Sequence, residues 1–369
     1  MAPAVDAAGA ATPATTPVSS PAPHRPPRLL LRPDDPGPAM LSFALRRTLQ
    51  ALAVLVAVSA AAFALFYAAP ADPARAACGP RCDSGQVAAV RQSMGLDQPL
   101  LAQYTDYLTG VVAGRDISDV DGSVIRCGAP CLGYSYRLHQ PVTEALVDHL
   151  PVTFSLTAGA LAVLLVLGLG TGFVSALRHG TRTDRLLSGF TLVGASVQIY
   201  FLGYVAQWAL VYSTGLLPLP SYTPPADDPG AWAGGMLLPW LVLGFVNSAV
   251  FARLSRSQLL ETMNEEYVRT ARGKGLGRLR AHLKYTSRGA AGPLVQLLGL
   301  EAGALLGGAV ITETVFGLNG VGTFAAEAVA GQDLPAVVGA VLLAACFVVL
   351  FVALADLAVA WLDPRIRLS

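Results

Sequence analysis

The sequence predicts an all-α polytopic membrane protein with six transmembrane helices and both termini on the cytoplasmic side. Three observations carry that reading. Of 369 residues, 53% are hydrophobic and 13% charged, with mean hydropathy +0.53, the composition of a chain solvated largely by lipid. Six apolar runs are each long enough for a helix at about 20 residues per crossing. Lys and Arg collect in alternate loops, as the positive-inside rule requires. The net charge of +1 says nothing about nucleic acid, because the bases are concentrated in particular loops.

Taken in order, residues 1–40 are rich in Ala, Pro, Thr and Ser, offer too little apolar surface to offset ordering entropy, and read as a disordered cytoplasmic tail. Arg46 and Arg47 precede the uncharged run Thr48–Ala71, so the first span falls within residues 41–71 with its start inside. Residues 72–149 are too polar for a span and too long for a turn. Within them Val87, Val90 and Met94, then Leu100, Leu101, Tyr104, Tyr107 and Leu108, recur at spacings near three and four, which predicts an extracytoplasmic cap of amphipathic helices.

The cap carries two C-x3-C pairs, Cys78 with Cys82 and Cys127 with Cys131. Four thiolates suit a tetrahedral zinc site, but an oxidising compartment favours disulfides. Three pairings are open, and loop closure favours the local ones, Cys78–Cys82 and Cys127–Cys131. No metal site is assigned.

The core, residues 150–369, holds spans two to six. Span two, Leu150–Leu177, contains Gly168, Gly170 and Gly172; no strand precedes this G-x-G-x-G, so close helix packing is preferred to a nucleotide site. Arg178, His179, Arg182 and Arg185 form a short basic loop. Span three runs over Leu186–Tyr212, followed by an outer loop with Asp227 and Asp228 and no Lys or Arg. Spans four, five and six are Trp232–Ala252, Gly292–Thr312 and Pro335–Leu362, and Cys346 in the last reads as packing.

Between spans four and five lies a long basic cytoplasmic loop, residues 253–291, with nine Lys or Arg against Glu261, Glu265 and Glu266. Asn264 is placed to cap a short helix through Arg272, with Gly273 and Gly275 as its stop. The run Tyr267-Val268-Arg269-Thr270-Ala271-Arg272-Gly273-Lys274-Gly275-Leu276 resembles the "EAA" loop of ABC importer permeases, most closely the dipeptide/oligopeptide importers. Gly95-Leu96-Asp97-Gln98-Pro99-Leu100, Glu313-Thr314-Val315-Phe316 with the glycines after it, and the ending Asp363-Pro364-Arg365-Ile366-Arg367 are similar to the same family. The resemblance covers residues 41–369; an insertion at about residues 116–131 stands outside it.

The resemblance implies the type I ABC importer permease fold and a bacterial cytoplasmic-membrane location. It implies that Glu266, Tyr267, Val268, Arg269, Thr270, Ala271, Arg272, Gly273, Lys274 and Gly275 form a coupling helix, with Ala271 and the glycines allowing close approach to an ATPase. The implied partners are a second permease subunit, two ATPase subunits holding ATP and Mg, and an extracytoplasmic solute-binding protein, which the insertion is expected to reach.

The chain itself has no G-x-x-x-x-G-K-[ST] and no H-E-x-x-H, so neither that mode of ATP binding nor zinc hydrolysis is expected, and no cofactor is assigned to it. Gln198, Asn247, Gln296, Glu301 and Glu313 are costly against lipid and are candidate linings of the translocation path, with interhelical hydrogen bonding as the alternative. Asp356 is a candidate for pairing with a base. Nickel or glutathione remain possible cargoes within the family. A proton-coupled secondary transporter relaying through Glu301 and Asp356 is the reading from a different class.

Overall fold

The computed structural model describes residues 37–68, 74–75, 82–93, 95–118 and 123–362. Most of the predicted tail, Cys78 and the C-terminal basic segment lie outside the described residues.

Helix α1 (Gly37–Ala68) contains the first span, its apolar stretch running Leu45–Leu65. It is peripheral, and its charge is anchored: Arg47 forms an ion pair with Asp356 near the other end of the chain. Asp356 therefore has the basic partner that its cost in lipid demands. The cap comes next, with α2 (Ser84–Ser93) and α3 (Leu100–Ala113) as the two predicted helices. Tyr104 ties α3 to α1, its hydroxyl 2.8 Å from Ser59 Oγ and donating to Val56 O at 3.2 Å.

The cap is not wholly helical. Strands β1 (Arg115–Ser118) and β2 (Val124–Cys127) form an antiparallel hairpin across the insertion, and β3 (Tyr134–Ser135) pairs with β4 (Gln140–Pro141). Cys127 and Cys131 are disulfide-bonded, with Cα atoms 5.6 Å apart, which is the local pairing. Cys82 is also in a disulfide, while the Cys78 end of its expected pair is outside the described residues. The hairpin folds inward: Ile117, Cys127 and Cys131 are buried with Tyr134 and Tyr136. Alternation in so short an insertion is too brief to announce strands.

Helix α4 (Val142–Leu177) is the second span and includes a wide π-type turn at Leu165–Leu169. The third span is where expectation and structure part. It is two helices, α5 (Arg182–Ser196) and α6 (Ile199–Ser213), bent by 96°, because Val197 and Gln198 take extended backbone, with ψ of 125° and 138°. Helix α7 (Pro229–Met263) starts on Asp228, whose carboxylate accepts from Gly230 N at 2.9 Å and Ala231 N at 3.0 Å, with Pro229 in the first turn, a favoured helix entry. It runs well past the predicted end at Ala252.

A short helix α8 (Glu266–Gly273) leads to α9 (Leu279–Leu306), the fifth span. That span ends six residues before the predicted Thr312. Two short helices, α10 (Val310–Phe316) and α11 (Val321–Ala330), come after it, and then α12 (Leu334–Leu362) closes the bundle along α9. The described residues thus hold five helices long and apolar enough to cross a membrane, with the bent α5–α6 pair as a sixth span. Cys346 on α12 is exposed, so it faces outward and not into the predicted packing.

Helix α4 packs on α7 through the glycines that the sequence flagged. A Cβ on Gly172 would lie 2.1 Å from Ser255 Oγ and 2.9 Å from Ala252 O, and one on Gly168 3.1 Å from Phe251, whereas Gly170 faces open space. Trp240 Nε1 adds a bond to Ser155 O at 2.9 Å. At the end of the bundle where the basic loops lie, Arg256 on α7 forks onto Asp184 at the start of α5, with Nε–Oδ1 and Nη2–Oδ2 both 2.9 Å. Asp184 also accepts from Ser175 Oγ and from Gly180 N at 2.9 Å. Arg256 and these donors hold its carboxyl well below the usual carboxylate range, and the same bonds raise Arg256.

This lock ties the short basic loop to α7. Asp184 is depressed, so its contribution is complete above the ordinary carboxylate pKa of about 3.9 and fades only as pH falls toward the lower folded value. Replacing Asp184→Asn is expected to cost about 2–3 kcal/mol, less than a fully buried pair because the Arg256 side chain is 28% exposed. Thermal unfolding in detergent should show a lowered midpoint, with the gap to the parent constant from pH 8 to 5.

Candidate coupling site and intramembrane polar groups

The basic loop is built from two long helices and the short one between them. Asn264 ends α7 instead of starting α8: its backbone N–H bonds Glu261 O at 3.0 Å and its side chain bonds Leu260 O at 3.0 Å. The expected cap thus lies one residue too early. Glu265, with φ −63° and ψ 144°, turns the chain, and its side chain makes no cap. The amide that would cap a helix start is occupied by the turn before it.

Helix α8 is amphipathic over only eight residues. Val268 is fully buried and Ala271 is 7% exposed, three positions apart on one face. The other face presents Glu266, Tyr267, Arg269, Thr270 and Arg272, with Gly273, Lys274 and Gly275 exposed beyond them. Gly275 takes φ +85°, a left-handed turn that glycine enters without a Cβ clash. Ala271 is therefore part of the internal anchor, and the expected close approach through it is not available from outside. Tyr267 lies half-exposed over the start of α9, where a Cβ on Gly289 would come within 2.2 Å of its hydroxyl. Burial of the ring, then the Glu265 carboxylate, raise its pKa, so the phenol stays neutral. The result is a small cationic surface riding on the ends of α7 and α9, so displacement of α8 must be borne by both long helices.

Among the described residues, no hydrogen bond joins any two of the five polar candidates for a path. Gln198 sits exposed at the α5–α6 bend. Asn247 donates to Leu243 O at 3.0 Å within its own helix, and Gln296 is exposed. Glu301 is half-buried on α9 and makes no hydrogen bond or ion pair among the described residues.

Glu313 is different. It is fully buried, and its carboxylate accepts from Thr153 Oγ1 at 2.8 Å and from Thr323 N at 2.8 Å, at the start of α11. Thr153 Oγ1 in turn accepts from Val321 N at 2.9 Å. Glu313 thus satisfies the amide end of α11 and holds α10, α11 and α4 together. It lies inside this joint, bonded between three helices. The Asp184–Arg256 fork is a second feature that sequence reasoning missed; the signal was one acid alone in a loop of bases.

Residues 168–368 match the family described as "Binding-protein-dependent transport system inner membrane component", and residues 40–157 match the N-terminal part of such membrane components. The chain belongs to this family. It is a multi-pass permease of an ABC importer in the bacterial inner membrane, and ATP is hydrolysed on a separate subunit of the complex. The permease is 32% identical over 354 residues to the dipeptide transport system permease protein DppB of Escherichia coli (strain K12), covering 89% of this chain and 99% of that one. The DppB of Alkalihalophilus pseudofirmus is 29% identical, over 89% of this chain and all of its own length. A putative peptide transport system permease of Brucella abortus (strain 2308) is 31% identical, over 89% and 99%.

Removing the Glu313 carboxylate orphans two buried donors. Glu313→Ala in the permease is expected to cost about 2–3 kcal/mol, read as a lower unfolding midpoint and new proteolytic cleavage in residues 317–333, while Glu313→Gln loses less because one oxygen still accepts.

Proposed function

We propose that this permease is one of two transmembrane subunits of a dipeptide/oligopeptide importer. Two ATPase subunits dock on the cytoplasmic loops of the paired permeases, in this chain on residues 266–275, and a solute-binding protein delivers peptide at the cap end. The single observation that carries the reading is α8: a helix anchored by Val268 and Ala271 with Arg269, Arg272 and Lys274 turned to solvent. Such a helix offers charge-assisted bonds to an acidic groove while its buried face hands the movement on to α7 and α9. ATP-driven closure of the ATPases then shifts α8 and with it α7 and α9, changing access to the translocation path. Support for peptide as cargo comes from the named relatives, whose permeases carry dipeptides or peptides by name. The basic charge of its loop supports a cytoplasmic position for α8.

The proton-relay reading finds less support. Asp356 is paired with Arg47, and the permease lacks any pair of facing free carboxylates among Glu301, Glu313 and Asp356. In the importer, Glu301 has no partner among the described residues of its own chain and is assigned to the second permease or to the water-filled path. Glu313 acts as a positioning residue for α10 and α11.

Two measurements test this. Reversing Arg269→Glu together with Arg272→Glu should remove ATPase subunits from the affinity-purified complex while leaving the unfolding midpoint unchanged, since both side chains are solvent-facing. Val268→Asp should instead lower the midpoint. Retention of the ATPases by the double charge reversal would end the coupling assignment. Glu301→Gln should preserve assembly and change peptide uptake; an unchanged uptake rate would remove Glu301 from the path.

A further inference from the structure

Between the cap and the bundle lies a half-open cavity of about 470 Å³. Its walls include Phe63 on α1, Gln103 and Tyr107 on α3, Arg115 at the start of β1, and Val338 on α12. Three polar groups here are buried without a hydrogen-bond partner, namely Gln103 Oε1, Tyr107 OH and Arg115 Nε. Gln103 and Tyr107 are only 8% and 7% exposed. Each such group costs about 1–3 kcal/mol when left unmet, and three around one cavity indicate an occupant that meets them.

Their chemistry specifies that occupant. The Gln103 amide nitrogen already donates to Leu96 O at 3.3 Å and to Gln98 O at 2.6 Å, which leaves its oxygen as an acceptor for an N–H group. Desolvation raises Tyr107 well above its ordinary value, so its hydroxyl stays protonated and donates. The Arg115 guanidinium lies 5.9 Å from the Tyr107 ring centroid and is in no ion pair among the described residues. A guanidinium without a counter-ion is matched by a carboxylate. Asp106 and Asp116, which line the same cavity, suit an ammonium.

We propose that this cavity binds a small zwitterion, an amino acid or dipeptide, with its carboxylate on Arg115 and Tyr107 and its N–H groups toward Gln103, Asp106 and Asp116. Phe63 and Val338 take its apolar side chain. None of Gln198, Asn247, Gln296, Glu301 and Glu313 lines this cavity. The choice of a dipeptide over other zwitterions rests on the importer reading; the demand for a carboxylate rests on Arg115 alone. Since the walls include parts of α1, α3, β1 and α12, occupancy clamps the cap onto the bundle.

The test uses the full-length permease, with whatever subunits co-purify, in lipid nanodiscs without solute-binding protein. L-alanyl-L-phenylalanine is titrated by calorimetry and by thermal unfolding, beside the same dipeptide with a C-terminal carboxamide. Saturable binding with a raised midpoint is expected, weakened roughly tenfold or more by the carboxamide and by Arg115→Gln. Arg115→Lys should recover part of the loss, and the carboxamide should bind parent and Arg115→Gln alike. Midpoints without dipeptide establish that the variants are folded; should Arg115→Gln not fold, Tyr107→Phe serves, with a smaller loss expected. Equal affinity for acid and amide, insensitivity to Arg115 and Tyr107, or no binding at all overturns the proposal. The importer reading is judged separately by co-purification of ATPase subunits: their presence with no binding sinks the cavity site alone, and Arg115-dependent binding without them sinks the importer alone.

Discussion

A single buried carboxylate organises the part of this bundle that the membrane cannot. Lipid enforces straight helices, because every backbone group must be met within the segment. The short helices α10 and α11 break that rule, leaving amides at their ends with neither water nor helix to satisfy them. Glu313 meets this demand with Thr153 as its brace, at distances of 2.8 Å. Helix α6 then rests on the same unit: Gly203 approaches Val315 so closely that a Cβ would be 2.8 Å away, and Gln207 donates to Val315 O at 3.2 Å. The bent third span therefore has a seat, which neither half of it supplies.

At the other end the fold solves a mechanical problem. A short helix outside the membrane transmits force only if it is fixed to something long. Val268 and Ala271 fix α8 inward, and α7 and α9 continue from it into the bundle. The Asp184–Arg256 fork binds the neighbouring basic loop to α7 as well. Like charges that would otherwise repel at this end are thus partly neutralised at one place, and Arg269, Arg272 and Lys274 are left exposed. In the importer reading, that division separates the residues that hold the helix from those that meet the ATPase.

The cap shows why local pattern and final role diverge. Helix α3 carries apolar residues at helical spacing, and those toward α1 pack as expected: Tyr104 stands 5.3 Å from Phe63, centroid to centroid. Yet the chain turns at Gly114, just past the end of α3, and Arg115 comes to lie over Tyr107 of that helix. In the insertion, Ile117, Cys127 and Cys131 are buried with Tyr134 and Tyr136, while Asp116, Ser123, Val124, Arg126, Gly128, Ala129 and Pro130 stay exposed.

How much was legible depends on the range of each interaction. The sequence alone determined the membrane class, the succession of apolar runs, the basic loop and the short helix at Glu266–Gly273, since all rest on composition or on neighbours within a few residues. It also flagged Gly168 and Gly172 for close helix packing and favoured, among three open pairings, the local Cys127–Cys131 bridge. The 96° bend at Ser196-Val197-Gln198 was invisible, because no Gly or Pro marks it. Glu313 read as a path-lining candidate and Asn264 as the start of α8. The Arg115 cavity was not legible at all. Each of these was decided by groups far apart in the chain, such as Thr153 with Glu313 or α1 with α12. A polar side chain takes its role from whichever donor or acceptor the fold brings to it, and only the tertiary structure chooses that partner.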